Sequence, residues 1–438
     1  MKSVFKILSL LFIAAFLLAA CGTPAAVAPV KETQIVTVKE TQIVEVAAEQ
    51  TEVRLSGWAS SPSETALLES LLYRFSVENP SITVKYEPIT GDYKQALLTA
   101  IASGTEPDLY YMDIAWWQEF AKNDVILPVD DLMSASGVKN EDFIPSLIDA
   151  FKFDGKTYGI PKDFNTLGLF YNKDLFDKAS LDYPTDDWTW DDLKTAAEKT
   201  TDLTDATKPV YGICAAADPG RFPIFVFQNG GTIMNADFTD TTLDSEAAIG
   251  AAQYYTDFRA NKTGAAPADV GEGWQGTVFG KGQCAMVYEG GWLISYMRDQ
   301  FPGTKYGVVI PPAGPAGEGN LIFTVAWGIS KNTKNPEAAW KVVDFLTNEA
   351  SQTTVLQSGF ALPTRISLQT NEYFTNNPNS AAIFNGALNN AQPFFWGSVG
   401  SDVNDQMGKA LERVYKENQP VADAMKQAAD AVREALKQ

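Results

Sequence analysis

Asp113, Asp163, Asp218 and Glu289 are the carboxylates with which this chain could do acid–base chemistry. Two such groups across a glycosidic bond suffice for hydrolysis. None of the four sits in a motif that demands catalysis, and the same groups serve as hydrogen-bond acceptors. There is no histidine at all. That excludes Ser-His-Asp and Cys-His nucleophiles and removes the commonest metal ligand, so neither a metal nor a cofactor is expected. Gly280-Lys281-Gly282 lacks the spacing and the Ser/Thr of a phosphate loop. Cys214 and Cys284 lie in apolar, strand-like contexts, where a disulfide and two buried thiols are both open. Aromatic surface is plentiful, with ten tryptophans, several beside Gly, Asp or Ser.

These side chains need strands and helices to hold them. Residues 53–58 read as a strand, followed by a helix start with Ser61 as N-cap, Pro62 at the first helical position and Glu64 reaching back. Leu67, Leu68, Leu71, Leu72 and Phe75 form that helix's apolar stripe. A strand over 82–86, a helix over 93–103 closed by Gly104, and a strand over 109–112 complete an alternating series. Such alternation implies a mostly parallel α/β sheet, in which ligands bind beyond the carboxyl ends of the strands. Trp58, Ser60, Asp113, Trp116 and Trp117 fall at those ends, with Trp117 packing inward. Further on, residues 155–161 and 167–171 read as two separate strands, and Thr189 caps a helix through Asp192. Asn335-Pro336-Glu337 starts another helix, and residues 421–436 form a last amphipathic one.

The N-terminus has its own pattern. Lys2 and Lys6 precede an apolar run over 7–20, too short to span a bilayer, which ends in Leu18-Ala19-Ala20-Cys21. It resembles the lipobox of bacterial lipoproteins. This implies a removed signal peptide over 1–20 and a lipid on the Cys21 sulfur; a plain signal peptide is the alternative. Residues 21–50 lack a core pattern and repeat Val30-Lys31-Glu32-Thr33-Gln34-Ile35-Val36 as Val38-Lys39-Glu40-Thr41-Gln42-Ile43-Val44, as expected of a disordered spacer, with a docked β-ribbon as the alternative. The roughly 390 residues that follow exceed one ordinary core, so two domains are expected. A net charge of −20 argues against nucleic acid and against peripheral adhesion to anionic lipid.

Four blocks carry a more specific likeness: Phe75-Ser76-Val77-Glu78-Asn79-Pro80 with Ala102-Ser103-Gly104-Thr105-Glu106-Pro107-Asp108; Tyr158-Gly159-Ile160-Pro161 with Tyr171-Asn172-Lys173-Asp174-Leu175-Phe176; Ala285-Met286-Val287-Tyr288-Glu289-Gly290-Gly291-Trp292; and Trp327-Gly328-Ile329-Ser330 with Asn335-Pro336-Glu337-Ala338-Ala339-Trp340. In this order the chain resembles the extracellular solute-binding proteins of the maltose-binding type, the sugar-binding subunits of ABC importers. The resemblance implies two α/β lobes of the periplasmic-binding type, with a hinge and an interlobe cleft. Lobe one would hold 51–161 and 311–368, and lobe two 163–308 and 370–438, with crossings near 161–163, 308–312 and 365–369. It also implies a monomer tethered outside the cytoplasmic membrane that closes on a carbohydrate and passes it to permease subunits, without catalysis. A glycerol phosphate, a polyamine, a metal chelate or a glycoside-processing enzyme are the alternatives.

The same resemblance points to contact residues. Trp292, with Glu289 and Gly290, matches a ligand-facing loop, and Trp396 matches a cleft tryptophan. Asp113 and Trp116 follow a strand at a usual contact region, and Trp58 ends the first strand. Asp163 and Asn165 lie at the first crossing, and Trp327 on a cleft-facing strand. Asp218 and Arg221 match more loosely, because Gly220 stands where an aromatic is expected. Arg365 is expected to make a structural pair at the hinge.

Overall fold

A computed structural model describes residues 50–58, 62–388 and 391–437. The stretch 1–20 expected to be a signal peptide, the expected lipid attachment point Cys21, almost all of the expected linker over 21–50, and Ser60 and Ser61 lie outside the described residues. Among the described residues, no helix is long and apolar enough to cross a membrane.

The fold is α/β and two-lobed, built on one curled sheet of ten strands. In chain order these are β1 (Thr51–Trp58), β2 (Ile82–Ile89), β3 (Leu109–Asp113), β4 (Ile160–Asn172), β5 (Tyr211–Cys214), β6 (Gly264–Ala265), β7 (Cys284–Gly290), β8 (Tyr306–Val309), β9 (Asn320–Ile329) and β10 (Ala391–Pro393). Their order across the sheet is β2-β1-β3-β9-β4-β7-β5-β6, with β8 paired to β4 and β10 to β9. At one end β1, β2 and β3 are parallel; at the other β5, β6 and β7 are parallel. Between them β4 and β9 run antiparallel to each other, β9 antiparallel to β3 and β4 antiparallel to β7.

The helices follow from local chemistry. Pro62 opens α1 (Pro62–Glu78), which buries Leu68, Leu71, Leu72 and Phe75. Asp92 caps α2 (Tyr93–Ser103) by accepting from the Gln95 N–H, and Gly104 ends it at φ 66°, a left-handed conformation that costs glycine little. Thr189 and Asp192 form the expected reciprocal cap of α3 (Trp190–Thr200). Further helices are α4 (Glu246–Ala260), α5 (Trp292–Gln300), α6 (Pro336–Thr347), α7 (Gly400–Glu417) and α8 (Val421–Ala435).

Buried side chains divide into clusters. One draws on Val53 to Ile160 and on Val325 to Ala361. A second draws on Leu167 to Leu321 and on Trp396 to Val432. A third, with Phe164, Phe170, Cys214, Cys284, Val287, Ile322 and Leu362, packs where crossing strands meet the second lobe. Along β9 the change of cluster falls between Ile322 and Val325.

The two short strands expected over 155–161 and 167–171 are instead mostly one. Strand β4 runs unbroken for 13 residues through Lys162-Asp163-Phe164-Asn165-Thr166. These polar residues interrupt an apolar run, yet β9 pairs along this stretch and β7 along the apolar residues that follow, while Thr166 donates to the Ile383 carbonyl and the Asp163 carbonyl accepts from Thr324.

Candidate functional site

Register brings the carboxyl ends of both parallel groups to the middle of the crossing strands. Asp113, the last residue of β3, pairs with Val325 of β9, and Val325 also pairs with Asp163 of β4. On the other side Gly290, the last residue of β7, pairs with Leu167 of β4. Residues 163–167 therefore floor a site whose two walls are strand ends from opposite lobes, the usual place for a ligand in such sheets.

The first wall is aromatic with one acid. Trp58 is half-buried, edge-on to Tyr93 at 5.4 Å and to Tyr111 at 5.0 Å. Trp116 is also half-buried, 5.0 Å from Phe120, while Trp117 is fully enclosed. Asp113 Oδ1 accepts from the Ala115 N–H at 2.8 Å. Burial pushes its carboxyl up to about 6, against the opposing pull of that hydrogen bond and of Lys94. Lys94 itself pairs with Glu119 at 3.1 Å.

On the floor, Asp163 and Asn165 are each 7% exposed. Asp163 is paired with Lys162, whose ammonium also lies 3.6 Å from Glu64 and sits over the rings of Tyr111 at 4.9 Å and Phe360 at 5.5 Å. Burial pulls the Lys162 ammonium down, but Asp163 and Glu64 outweigh it and hold it above the ordinary lysine value. Asn165 Oδ1 has no hydrogen-bond partner among the described residues.

The second wall centres on one carboxylate. Glu289 Oε2 accepts from Arg221 Nη2 at 2.6 Å and from Trp292 Nε1 at 2.7 Å, and its Oε1 accepts from Trp274 Nε1 at 2.9 Å. Arg221 also lies 3.3 Å from Asp218 and 5.6 Å from the Trp292 ring. Burial opposes the charge on Arg221, and the facing acids more than restore it, so the guanidinium stays protonated. Trp292 is half-buried against Phe323 at 5.5 Å, and Phe323 continues to Phe394 at 5.1 Å. Glycine is required beneath this ring, because a Cβ on Gly290 would lie 2.4 Å from it. Behind the wall, Cys214 and Cys284 are joined as a disulfide, tying β5 to β7.

The walls already touch at the rim. Ser63 Oγ donates to Asp299 at 2.8 Å, and Lys94 Nζ to Ser401 Oγ at 3.2 Å.

Register and contacts thus set Asp113, Asp163, Asn165 and Gly290 along the crossing strands, Trp58 and Trp116 beside the strand ends of the first lobe, and Asp218, Arg221 and Trp292 beside those of the second. Three of the expected contact residues are closed in this structure. Glu289 is 0% exposed and its oxygens are already engaged by three donors, so it is not presented as an open acceptor. Trp327 is 2% exposed, packed on Tyr111 at 4.9 Å within the first core. Trp396 is 4% exposed in the second core, its indole donating to Asn404 at 2.8 Å. Arg365 donates to the Thr347 carbonyl and stacks over Phe143 at 4.8 Å, a structural arrangement. Lys162, Trp274, Phe323 and Phe394 belong to the site without having been singled out from sequence. Lys162 adjoins Asp163 and Trp274 adjoins Gly273, but neither neighbour reveals which way a side chain turns.

Comparison with known proteins places the fold. A binding protein of Brucella abortus is 29% identical over 387 residues, covering 84% of this chain and 89% of its own. The maltooligosaccharide ABC transporter solute-binding lipoprotein of Streptococcus pneumoniae is 26% identical over 318 residues, covering 71% and 72%. An ABC substrate-binding protein of Listeria monocytogenes, solved in complex with cycloalternan, superposes with a TM-score of 0.82 at 26% identity, over 89% of this chain and 99% of that one. The family described as bacterial extracellular solute-binding protein matches residues 58–353, more than half of the chain. With strand ends from two lobes meeting over shared crossing strands, and that match across both, the chain belongs to the bacterial extracellular solute-binding proteins.

Proposed function

We propose that the protein captures an uncharged oligosaccharide outside the cytoplasmic membrane and hands it to an ABC permease. The observation that carries this reading is the pairing of charge in an aromatic cleft. Lys162 is held by Asp163 and Glu64, Arg221 by Glu289 and Asp218, and Lys94 by Glu119. A phosphate ester needs an uncommitted cation there, and a polyamine needs several uncommitted acids. A sugar needs neither: its C–H faces pack on indoles such as Trp58, Trp116 and Trp292, and its hydroxyls bond Asp113, Asp163, Asn165, Asp218 and Arg221. The solute gripped between the walls would favour the closed form, which the permease reads.

In this reading the lobes are those built around 51–161 and 311–368, and around 163–308 and 370–438. Cys21 carries the lipid that keeps the protein at the membrane, and the pneumococcal relative's name as a lipoprotein supports the tether. The carboxylates act as acceptors, not as a hydrolytic pair, because Glu289 and Asp163 are already committed to cations.

A thermal-shift screen tests the reading. Binding to the native form alone raises its stability by about 2.7 kcal/mol at a hundredfold excess over Kd. Neutral malto-, manno- or arabino-oligosaccharides are expected to raise the melting temperature, while glycerol 3-phosphate and spermidine leave it unchanged. A shift with either charged solute and none with any sugar overturns the proposal.

A further inference from the structure

Glu289 stands at the penultimate position of β7 with no exposed surface. Its three donors come from three places in the fold: Trp292 at the start of α5, Trp274 just ahead of the helix Gln275–Gly280, and Arg221 in the loop after β5. An indole N–H is a donor only, so its acceptor fixes where the ring edge points. The same Trp292 ring lies so close to Gly290 that a Cβ there would stand 2.4 Å away. Its orientation is therefore constrained from two independent sides. Trp274 is constrained likewise by Tyr296, edge-on at 4.8 Å, and by Gly276, whose Cβ would meet the ring at 2.4 Å.

We propose that Glu289 is a positioning residue, which sets the planes of Trp292 and Trp274 and the reach of Arg221 before a solute arrives, and does not itself receive a solute hydroxyl. This rests on the cleft being the solute site. A carboxylate has about four lone-pair positions, and three here are taken by charged or indole donors. A wall assembled in advance spares the solute the cost of ordering long side chains on binding. Glutamate is needed because a glutamine at this place would present an amide N–H toward another donor, and aspartate would fall a methylene short of both indoles.

Ligand-free protein gives the deciding test. In a proton–nitrogen correlation spectrum of the wild type, two indole N–H resonances are expected far downfield, as for donors to a carboxylate. Trp292→Phe removes one and Trp274→Phe the other, and Glu289→Gln moves both upfield. Indole resonances at ordinary positions, unmoved by Glu289→Gln, overturn the proposal; if Glu289→Gln fails to fold, the wild type and the two Trp→Phe variants still decide it. The second arm uses the panel sugar that most raises the melting temperature. Glu289→Gln is expected to weaken it at least tenfold in the wild-type background and less than threefold in Trp292→Phe, with Glu289→Asp restoring little. An equal loss in both backgrounds shows that Glu289 does not act through Trp292 and overturns the proposal. Failure of the sugar reading would show differently, as no binding by the wild type, with the ligand-free spectrum unaffected.

Discussion

Removing the Trp292 side chain separates binding from folding at a single residue. Trp292→Ala should weaken sugar binding by more than about 1 kcal/mol while lowering the melting temperature less than Trp396→Ala does, as read by titration calorimetry and by calorimetric melting. Trp396→Ala should do the reverse. Its ring fills the second core, so the loss should be about 3–5 kcal/mol of unfolding free energy in urea. The two tryptophans look alike in sequence, each beside a glycine, and only the cores tell them apart. Asp113 makes a pH-dependent prediction. Its folded carboxyl is raised to about 6 by burial, so its proton is held more tightly in the native state than in the unfolded one. The stability this adds is fully present below the unfolded value near 4 and is lost as pH rises through about 6. The melting temperature of the wild type should therefore fall relative to Asp113→Asn across that window; parallel curves for the two proteins would count against a buried, raised carboxyl.

The Cys214–Cys284 bond joins neighbouring strands β5 and β7 directly behind the Glu289 wall. Replacing both cysteines by serine should cost about 2–4 kcal/mol of stability in guanidinium titrations, a range typical of a bond closing a long loop. An unchanged midpoint would show that the strands hold their register unaided. Elements of this kind differ in how far the sequence reveals them. Helices α2, α3 and α6 are legible because caps and apolar periodicity agree: Gly104 ends one, Thr189 and Asp192 open another, and Pro336 stands first in the third. Strand β4 is not legible as one element, because Lys162, Asp163 and Asn165 look like a loop until β9 pairs alongside them and Phe164 bridges to Leu362. Site residues follow the same rule. Asp113 and Trp58 are visible because strand ends are visible, whereas Phe323 and Phe394 enter the site only through the pairing of β9 with β4 and β10.

At the scale of the whole molecule, a net charge of −20 surrounds a cleft whose cations are already paired. Salt screens exposed charge over about 8–10 Å at physiological strength, so a charged ligand would bind more weakly as salt is added. Affinity for an uncharged sugar should instead change less than twofold between 50 and 500 mM salt in fluorescence titrations, and a steep loss would point to an ionic ligand. The sheet gives the proposed solute a route to both lobes, since β4 and β9 pair with β3 on one side and β7 on the other. A crystal structure with the best-binding neutral oligosaccharide tests this most directly. It should show a sugar ring against Trp292, with hydroxyls bonded to Asp113 on one wall and Arg221 on the other. Density for the sugar anywhere that does not engage both walls would contradict it.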